Sequence, residues 1–216
     1  DAQQVSQLVL LASQEGIPYL PRGSGTNLSG GSIAVRGGIV IELSRMNRIL
    51  EIDLENHRAL VEPGVYNLEL QDRLAREGFF YPPDPASQRV STLGGNAAEN
   101  SGGPHCLKYG VTTNHILGLE AVLPSGEIVE LGGEALQQPG YDLVGLLVGS
   151  EGTLAVVTKV WLRILPLPEA VKSFLTVFDS IESAAESVTS IIKAGIVPAA
   201  MEMMDRGAVR CVEEYL

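Results

Sequence analysis

A chain of 216 residues, 45% hydrophobic and 19% charged, fits one large domain, or one domain and part of another, with no disordered composition. Its 26 acidic residues against 15 basic ones leave a formal charge of −11, which disfavours nucleic acid as a partner. An anionic ligand must then be met by local positive potential, because the global field repels it.

Cysteine is scarce: Cys106 and Cys211 have neither metal-ligand nor redox-pair spacing. Two thiols suit a reducing, cytoplasmic compartment, with a single disulfide left open. His57, His105 and His115 form no metal pattern, so no metal site is expected. No apolar run reaches the ~20 residues of a membrane span. A start at Asp1 without methionine reads as a processed or excised chain.

Residues 1–15 predict an amphipathic helix, with Val5, Leu8, Val9 and Ala12 on one stripe and Gly16 as its stop. The apolar run 17–20 predicts a strand that leads into the glycine-rich loop PRGSGTNLSGG over 21–31. Successive backbone N–H groups in such a loop can converge on an anion. It is not a Walker A loop, since no Gly-Lys-Ser/Thr comes after it, nor a dinucleotide fingerprint, since Leu28 stands where a third glycine belongs. The segment after Gly31 reads as another strand, and 39–43 is a short apolar one. Residues 49–53 and 58–62 predict a strand pair around Glu55-Asn56, ended by Pro63-Gly64. Residues 67–77 predict a helix, with Asn67 as N-cap, Leu70 and Leu74 inward, and Gly78 at the C-terminal cap.

The stretch 82–123 then combines a proline-rich entry, the glycine pairs Gly94-Gly95 and Gly102-Gly103, and a run of small and amide side chains. Up to the strand that begins at Ile116 it reads as a glycine-rich polar loop, too long for an ordinary connection. Residues 116–123 and 128–131 predict a hairpin around Pro124-Ser125-Gly126-Glu127. A short helix is expected over 142–148, a third glycine-bearing loop over 149–153, and a long strand over 154–165. Glycine then nearly disappears, and Pro166-Leu167-Pro168 marks a boundary. Beyond it, strands at 173–178 and 200–204 with a helix at 181–194 read as the beginning of a second, truncated domain.

The pair PRGSGTNLSGG and STLGGNAAENSGG, closed by VGSEGTLAVVT over 148–158, resembles the FAD-binding domain of the vanillyl-alcohol oxidase (PCMH-type) superfamily. Within it, the likeness is to the 2-hydroxyacid dehydrogenase branch, which holds the flavin subunit of glycolate oxidase, D-lactate dehydrogenase and D-2-hydroxyglutarate dehydrogenase. The resemblance implies an α+β fold with a smaller FAD-binding subdomain over 1–63, a larger one over 64–166, and the start of a cap domain over 169–216. FAD would lie between the two subdomains. Arg22, Gly23, Ser24, Gly25, Thr26 and Asn27 match the pyrophosphate loop. Pro82, Asp84 and Ser87 match a wall beside the flavin, and Thr92, Gly94, Gly95, Asn96, Asn100, Ser101 and Gly103 continue along the ribityl chain and ring. Tyr109, Gly110 and Thr112 match a cofactor-facing turn, Glu151, Gly152 and Thr153 the third loop, and Val156 a backbone contact to adenine.

Each of these residues also has a plainer reading. Asn96 and Asn100 can satisfy local backbone groups instead. Glu151 can be a surface carboxylate. His105 is a loop hydrogen-bonder in one reading and a catalytic base in the other. Relatives that bond the flavin covalently use a histidine in the first loop or a cysteine in the region matching 87–93, and this chain has neither, so FAD is expected without a covalent bond. The implied activity is hydride transfer from a 2-hydroxy acid to FAD, with electrons passing to an iron–sulfur subunit, a quinone or a cytochrome. An oxygen-using oxidase and a non-catalytic companion subunit are the alternatives. The substrate-handling residues are expected outside this sequence.

Overall fold

The computed structural model describes residues 1–133 and 140–216. Of the subdomain expected over 64–166, residues 134–139 lie outside the described residues.

Helix α1 (Ala2–Gln14) starts on a reciprocal cap: Asp1 Oδ1 accepts from Gln4 N, while Gln4 Oε1 accepts from the N-terminal amine, both at 2.9 Å. Its buried face carries Val5, Val9 and Ala12 at helical spacing. Strands β1 (Tyr19–Arg22) and β2 (Ile39–Glu42) pair in parallel as a small sheet. Val5, Val9, Ile41 and Leu43 join Val122 and Val156 in one apolar cluster, so α1 and the small sheet share a core with the main sheet.

β3 (Ile49–Asp53) and β4 (Arg58–Val61) form the expected antiparallel pair. Helix α2 (Asn67–Ala75) buries Leu70 and Leu74, and β5 (Phe79–Phe80) comes next. Helices α3 (Leu93–Glu99) and α4 (Cys106–Tyr109) precede a 3₁₀ turn at Thr112–His115. β6 (Ile116–Val122) and β7 (Ile128–Gly132) make the expected hairpin. Asp142 caps α5 (Leu143–Leu147) by accepting from Gly145 N at 2.8 Å. β8 (Val156–Arg163) is the next strand, and β9 (Leu165–Pro166) pairs with β5. The main sheet runs β3-β4-β8-β6-β7 and is antiparallel throughout. It thus joins residues 49–61 to residues 116–163 across position 63. Helices α6 (Ile181–Lys193) and α7 (Arg206–Tyr215) end the described chain. The architecture is α+β, as the sequence implies. No described helix is long and apolar enough to cross a membrane.

Four local expectations change. The segment after Gly31 forms no strand before Ile39. The long polar loop contains α3, because Thr92 caps it, with Oγ1 accepting from Gly95 N at 3.3 Å, and Asn100 ends it in the left-handed region at φ 51°. Asn67 does not cap α2: it is fully buried, donates to the Pro83 carbonyl at 3.2 Å and accepts from Asn96 Nδ2 at 3.1 Å. The strands expected at 173–178 and 200–204 are absent, and α7 stands unforeseen. A strand needs a paired neighbour, and among the described residues none lies beside the exposed Phe174, Leu175 and Val177.

Along β8, Val156, Thr158, Val160 and Leu162 alternate inward on the period of two. Leu162 is fully buried between Ala59 of β4 and Ile116 of β6. Leu162→Ala is expected to cost about 2–5 kcal/mol, since the central strand cannot collapse into the space left behind. Urea unfolding checks this as a lowered midpoint with an unchanged slope.

Candidate functional site

β1 delivers Arg22 to the mouth of the first loop, opposite Glu42 on β2. Their side chains stand 3.7 Å apart, and the guanidinium lies under the loop. A Cβ at Gly25 would come within 2.8 Å of Arg22 Nη2, and Gly25 has φ +69°, so glycine serves both the turn and the close approach. Ser24 Oγ donates to the Val90 carbonyl, tying this loop to the lead-in of α3.

Helix α3 sits directly behind. Its first turn packs on Pro63, where a Cβ at Gly94 would lie 2.4 Å from the proline Cβ. Its free carbonyls are closed by the third loop: Gly149 N donates to Ala97 O and Glu151 N to Ala98 O, each at 2.9 Å. Glu151 takes a left-handed φ of 53° to do so. Its carboxylate turns back to accept from Ser29 Oγ at 3.2 Å.

The three segments enclose a cavity of about 380 Å³. Ordinary ligand pockets measure ~300–1,000 Å³. Of the residues singled out from the sequence, Arg22, Gly23, Ser24, Gly25, Thr26, Asn27, Ser87, Thr92, Gly94, Gly95, Asn96, Ser101, Glu151 and Gly152 line it. Those that do not line it hold other positions. Val156 points into the core while its neighbour Val157 faces the cavity. Thr112 donates to Ser101 O at 2.7 Å, and Asn100 Oδ1 accepts from Thr113 N at 2.9 Å. Thr153 Oγ1 donates to Ser150 O at 2.6 Å, and Gly110 ends α4 at φ 82°.

Pro82, Asp84, Gly103, His105 and Tyr109 form a separate group. His105 Nδ1 lies 3.1 Å from both Asp84 Oδ2 and Pro82 O. Both partners are acceptors, so the ring proton sits on Nδ1. Asp84 Oδ1 also accepts from His105 N at 3.1 Å. A Cβ on Gly103 would lie 2.2 Å from Asp84 O, and Tyr109 meets His105 edge-on with centroids 5.9 Å apart. This clamp joins 82–87 to 101–105, two segments that each give the cavity a serine, Ser87 and Ser101.

Sequence reasoning missed Leu43, Pro63, Leu147, Ala155 and Val157, which give the cavity an apolar wall, and Glu99 on α3. Partial desolvation, and secondarily the charge of Glu151, raise the Glu99 carboxyl from its ordinary value, although the residue itself stays exposed. Glu99 stands three residues after Asn96, a helical spacing that becomes visible only once α3 is recognised. In the lining, Arg22 is the one cation beside two carboxylates, and it already faces Glu42. An anion here must therefore be held chiefly by backbone N–H groups, which the close-packed glycines leave uncovered. A dinucleotide such as FAD fits these donors: an N–H cradle for pyrophosphate, hydroxyl and amide groups for a polyol, and an apolar wall for a flat ring. Among the described residues no cluster of three His, Cys, Asp or Glu is placed to hold a metal.

Comparison with known proteins gives the same reading. A family model described as "FAD binding domain" matches residues 1–132, and one described as "FAD linked oxidases, C-terminal domain" matches 167–216. The glycolate oxidase subunit GlcD of Bacillus subtilis is 45% identical over all of this chain and 46% of its own length. A D-lactate dehydrogenase of Anaerostipes hadrus is 36% identical over 99% of this chain and 45% of its own. The chain therefore spans about half the length of these relatives. A solved alkyldihydroxyacetonephosphate synthase superposes with a TM-score of 0.81 at 28% identity, over 92% of this chain and 36% of that one. By the match over residues 1–132, the chain belongs to the FAD binding domain family.

Proposed function

We propose that this chain is the flavin-binding part of a 2-hydroxyacid dehydrogenase, acting on a small substrate such as glycolate or D-lactate. The observation that carries the reading is the convergence of three glycine-bearing segments, 22–32, 92–101 and 149–152, on one cavity. Similarity over the whole chain to a glycolate oxidase subunit and a D-lactate dehydrogenase supports the substrate class.

In this reading the amides of Gly23 to Asn27 hold the pyrophosphate, with Arg22 supporting the loop from below. Thr92, Asn96 and Ser101 serve the ribityl hydroxyls. Leu43, Leu147, Ala155 and Val157 exclude water from one ring of the cofactor. Pro82, Asp84 and Ser87, braced by His105, form the wall beside the other. Asn100, Gly103, Tyr109, Gly110, Thr112, Thr153 and Val156 act one step back, by fixing the segments that line the cavity. Bound FAD supplies a two-electron acceptor for the CH–OH carbon of the substrate. The group that clamps the substrate carboxylate and the base that takes the hydroxyl proton are assigned to residues outside this sequence. Residues up to about 166 make the cofactor unit, and those from 169 onward begin the domain that covers it. The onward electron acceptor is an iron–sulfur subunit, a quinone or a cytochrome, and the assembly works in the cytoplasm or at a membrane reached through its partner subunits.

Three outcomes test this. FAD is held without a covalent bond, since no histidine lies in 21–31 and no cysteine in 87–93. Acid precipitation should therefore leave all the yellow colour in the supernatant, and colour retained in the pellet would overturn the claim.

Gly25→Val should weaken FAD binding by about tenfold or more. The branched residue is strained at φ +69° and its Cβ presses on Arg22. Quenching of flavin fluorescence measures the affinity, and an unchanged circular dichroism spectrum would place the effect at the cradle rather than in folding.

The third outcome concerns pH. Glu99 holds its proton more tightly folded than unfolded, so its stabilising contribution is full below the ordinary value of 4.5 and is lost as pH rises through the higher folded value. An anionic pyrophosphate strengthens that preference for the protonated form. FAD affinity should fall as pH rises from about 4.5 towards neutrality. Glu99→Gln should flatten the profile and raise the melting temperature of the free protein at neutral pH but not in acid.

A further inference from the structure

Residues 26–36 belong to no strand or helix, and both their flanks are glycines in the left-handed region: Gly25 at φ +69°, Gly37 at +69° and Gly38 at +107°. The downstream flank is pinned, because a Cβ on Gly38 would lie 2.1 Å from Pro18 O. The large apolar side chains of the intervening segment do not hold it down, although Asn27, Gly30, Ser32 and Ala34 are half-buried. Leu28 is fully exposed, and Ile33 and Val35 keep 64% and 85% of their surface exposed. Its backbone bonds, Ile33 N to Gly30 O and Val35 N to Ile33 O, stay within it. So do two of its side-chain bonds, Ser32 Oγ to Asn27 Oδ1 at 2.7 Å and Asn27 Nδ2 to Ser29 Oγ at 3.4 Å.

Apart from Gly37 N to Ala34 O at the downstream flank, one bond described for this segment leaves it. Ser29 Oγ donates to Glu151 Oε2 at 3.2 Å, across 122 positions of sequence. The far end is firm, since Glu151 N is bonded to Ala98 O at 2.9 Å. Ser29 accepts from Asn27 while it donates to Glu151, so the bond is the last link of a chain running Ser32–Asn27–Ser29–Glu151. All four side chains line the cavity. The acceptor is a carboxylate, which makes the bond charge-assisted.

We propose that the Ser29–Glu151 hydrogen bond is a latch: it holds the 26–36 segment as a flap against the third loop and sets how fast FAD leaves. Ser29 and Glu151 are thus positioning residues for the cofactor, a role that rests on the FAD reading above. With the bond made, the flap is anchored at both glycine flanks and at its middle. With it broken, the one hydrogen bond described from 26–36 to residues outside it is Gly37 N to Ala34 O at the downstream flank. Opening is then limited by the flap's internal turns alone.

The test has two measurements on the same protein and on Ser29→Ala, Ser29→Thr, Glu151→Ala and the double alanine variant. The first is the rate of FAD release on dilution, read by the recovery of flavin fluorescence. The second is amide hydrogen exchange over 26–36 without FAD. Ser29→Ala is expected to release FAD about tenfold faster, with Ser29→Thr, which keeps the hydroxyl, within about twofold of the parent. The double variant is expected to match Glu151→Ala, because once the carboxylate is gone the Ser29 hydroxyl has no bond to it left to lose. Exchange over 26–36 should rise in both alanine variants and stay at the parental level elsewhere. An unchanged release rate in Ser29→Ala, additive effects in the double variant, or unchanged exchange would each overturn the latch. A parent protein that takes up no FAD would overturn the cofactor reading instead, and the exchange measurement would still decide whether the latch exists.

Discussion

The cavity depends on how a short helix of poor helix formers is held in place. Gly94, Gly95 and Asn96 each disfavour a helix, and α3 runs only from Leu93 to Glu99. Three external supports offset that. Thr92 caps the start, Pro63 meets the first turn where only glycine fits, and the amides of Gly149 and Glu151 close the last carbonyls. Each support comes from a different part of the chain, and each is also a boundary of the cavity. The interactions that make α3 a helix are the ones that bring the three loops together.

This explains the low formal charge inside the site. A loop that must reach over to satisfy helix carbonyls does so with backbone N–H groups, and its own side chains are then free to point inward. Glu151 is such a residue, strained at φ 53° and aimed at the flap. Arg22 is turned towards Glu42 and the floor of the first loop. Donors that cannot titrate, carried on a closely packed backbone, take the place of mobile cations. Such donors cost little reorganisation when an anion arrives.

Much of this was legible from residues alone. The strand pair at 49–61, the hairpin at 116–132 and the first helix follow from periodicity, and their burial patterns agree. The first loop was legible because glycine after an apolar strand has few other uses, and the third because its glycines separate a short helix from a long strand. Helix α3 was not, since its propensity is poor and, the Thr92 cap apart, its supports at Pro63, Gly149 and Glu151 are distant in sequence. Asn67 looked like a cap by local spacing, but Asn96 and the Pro83 carbonyl claim its side chain, which only the tertiary structure reveals. Val157 shows the limit on a strand: the motif marked its neighbour Val156 for a backbone contact, and the pleat turns the Val157 side chain to the cavity. Residues 173–178 show the reverse case, strand-forming side chains with no described partner strand to pair them.

The order of strands in the main sheet also governs how the molecule is made. β8 lies at its centre yet is the last of its five strands to be synthesised. Arg58 of β4 is paired with Arg163 of β8, so the two halves of the sheet cannot join until the ribosome has passed that point. Until then the β3–β4 pair and the β6–β7 hairpin each display an unpaired edge. Long-range pairing of this kind closes slowly and leaves such edges open to other chains. The nascent polypeptide therefore passes through an interval in which its core strand is missing, and shielding by chaperones matters most there.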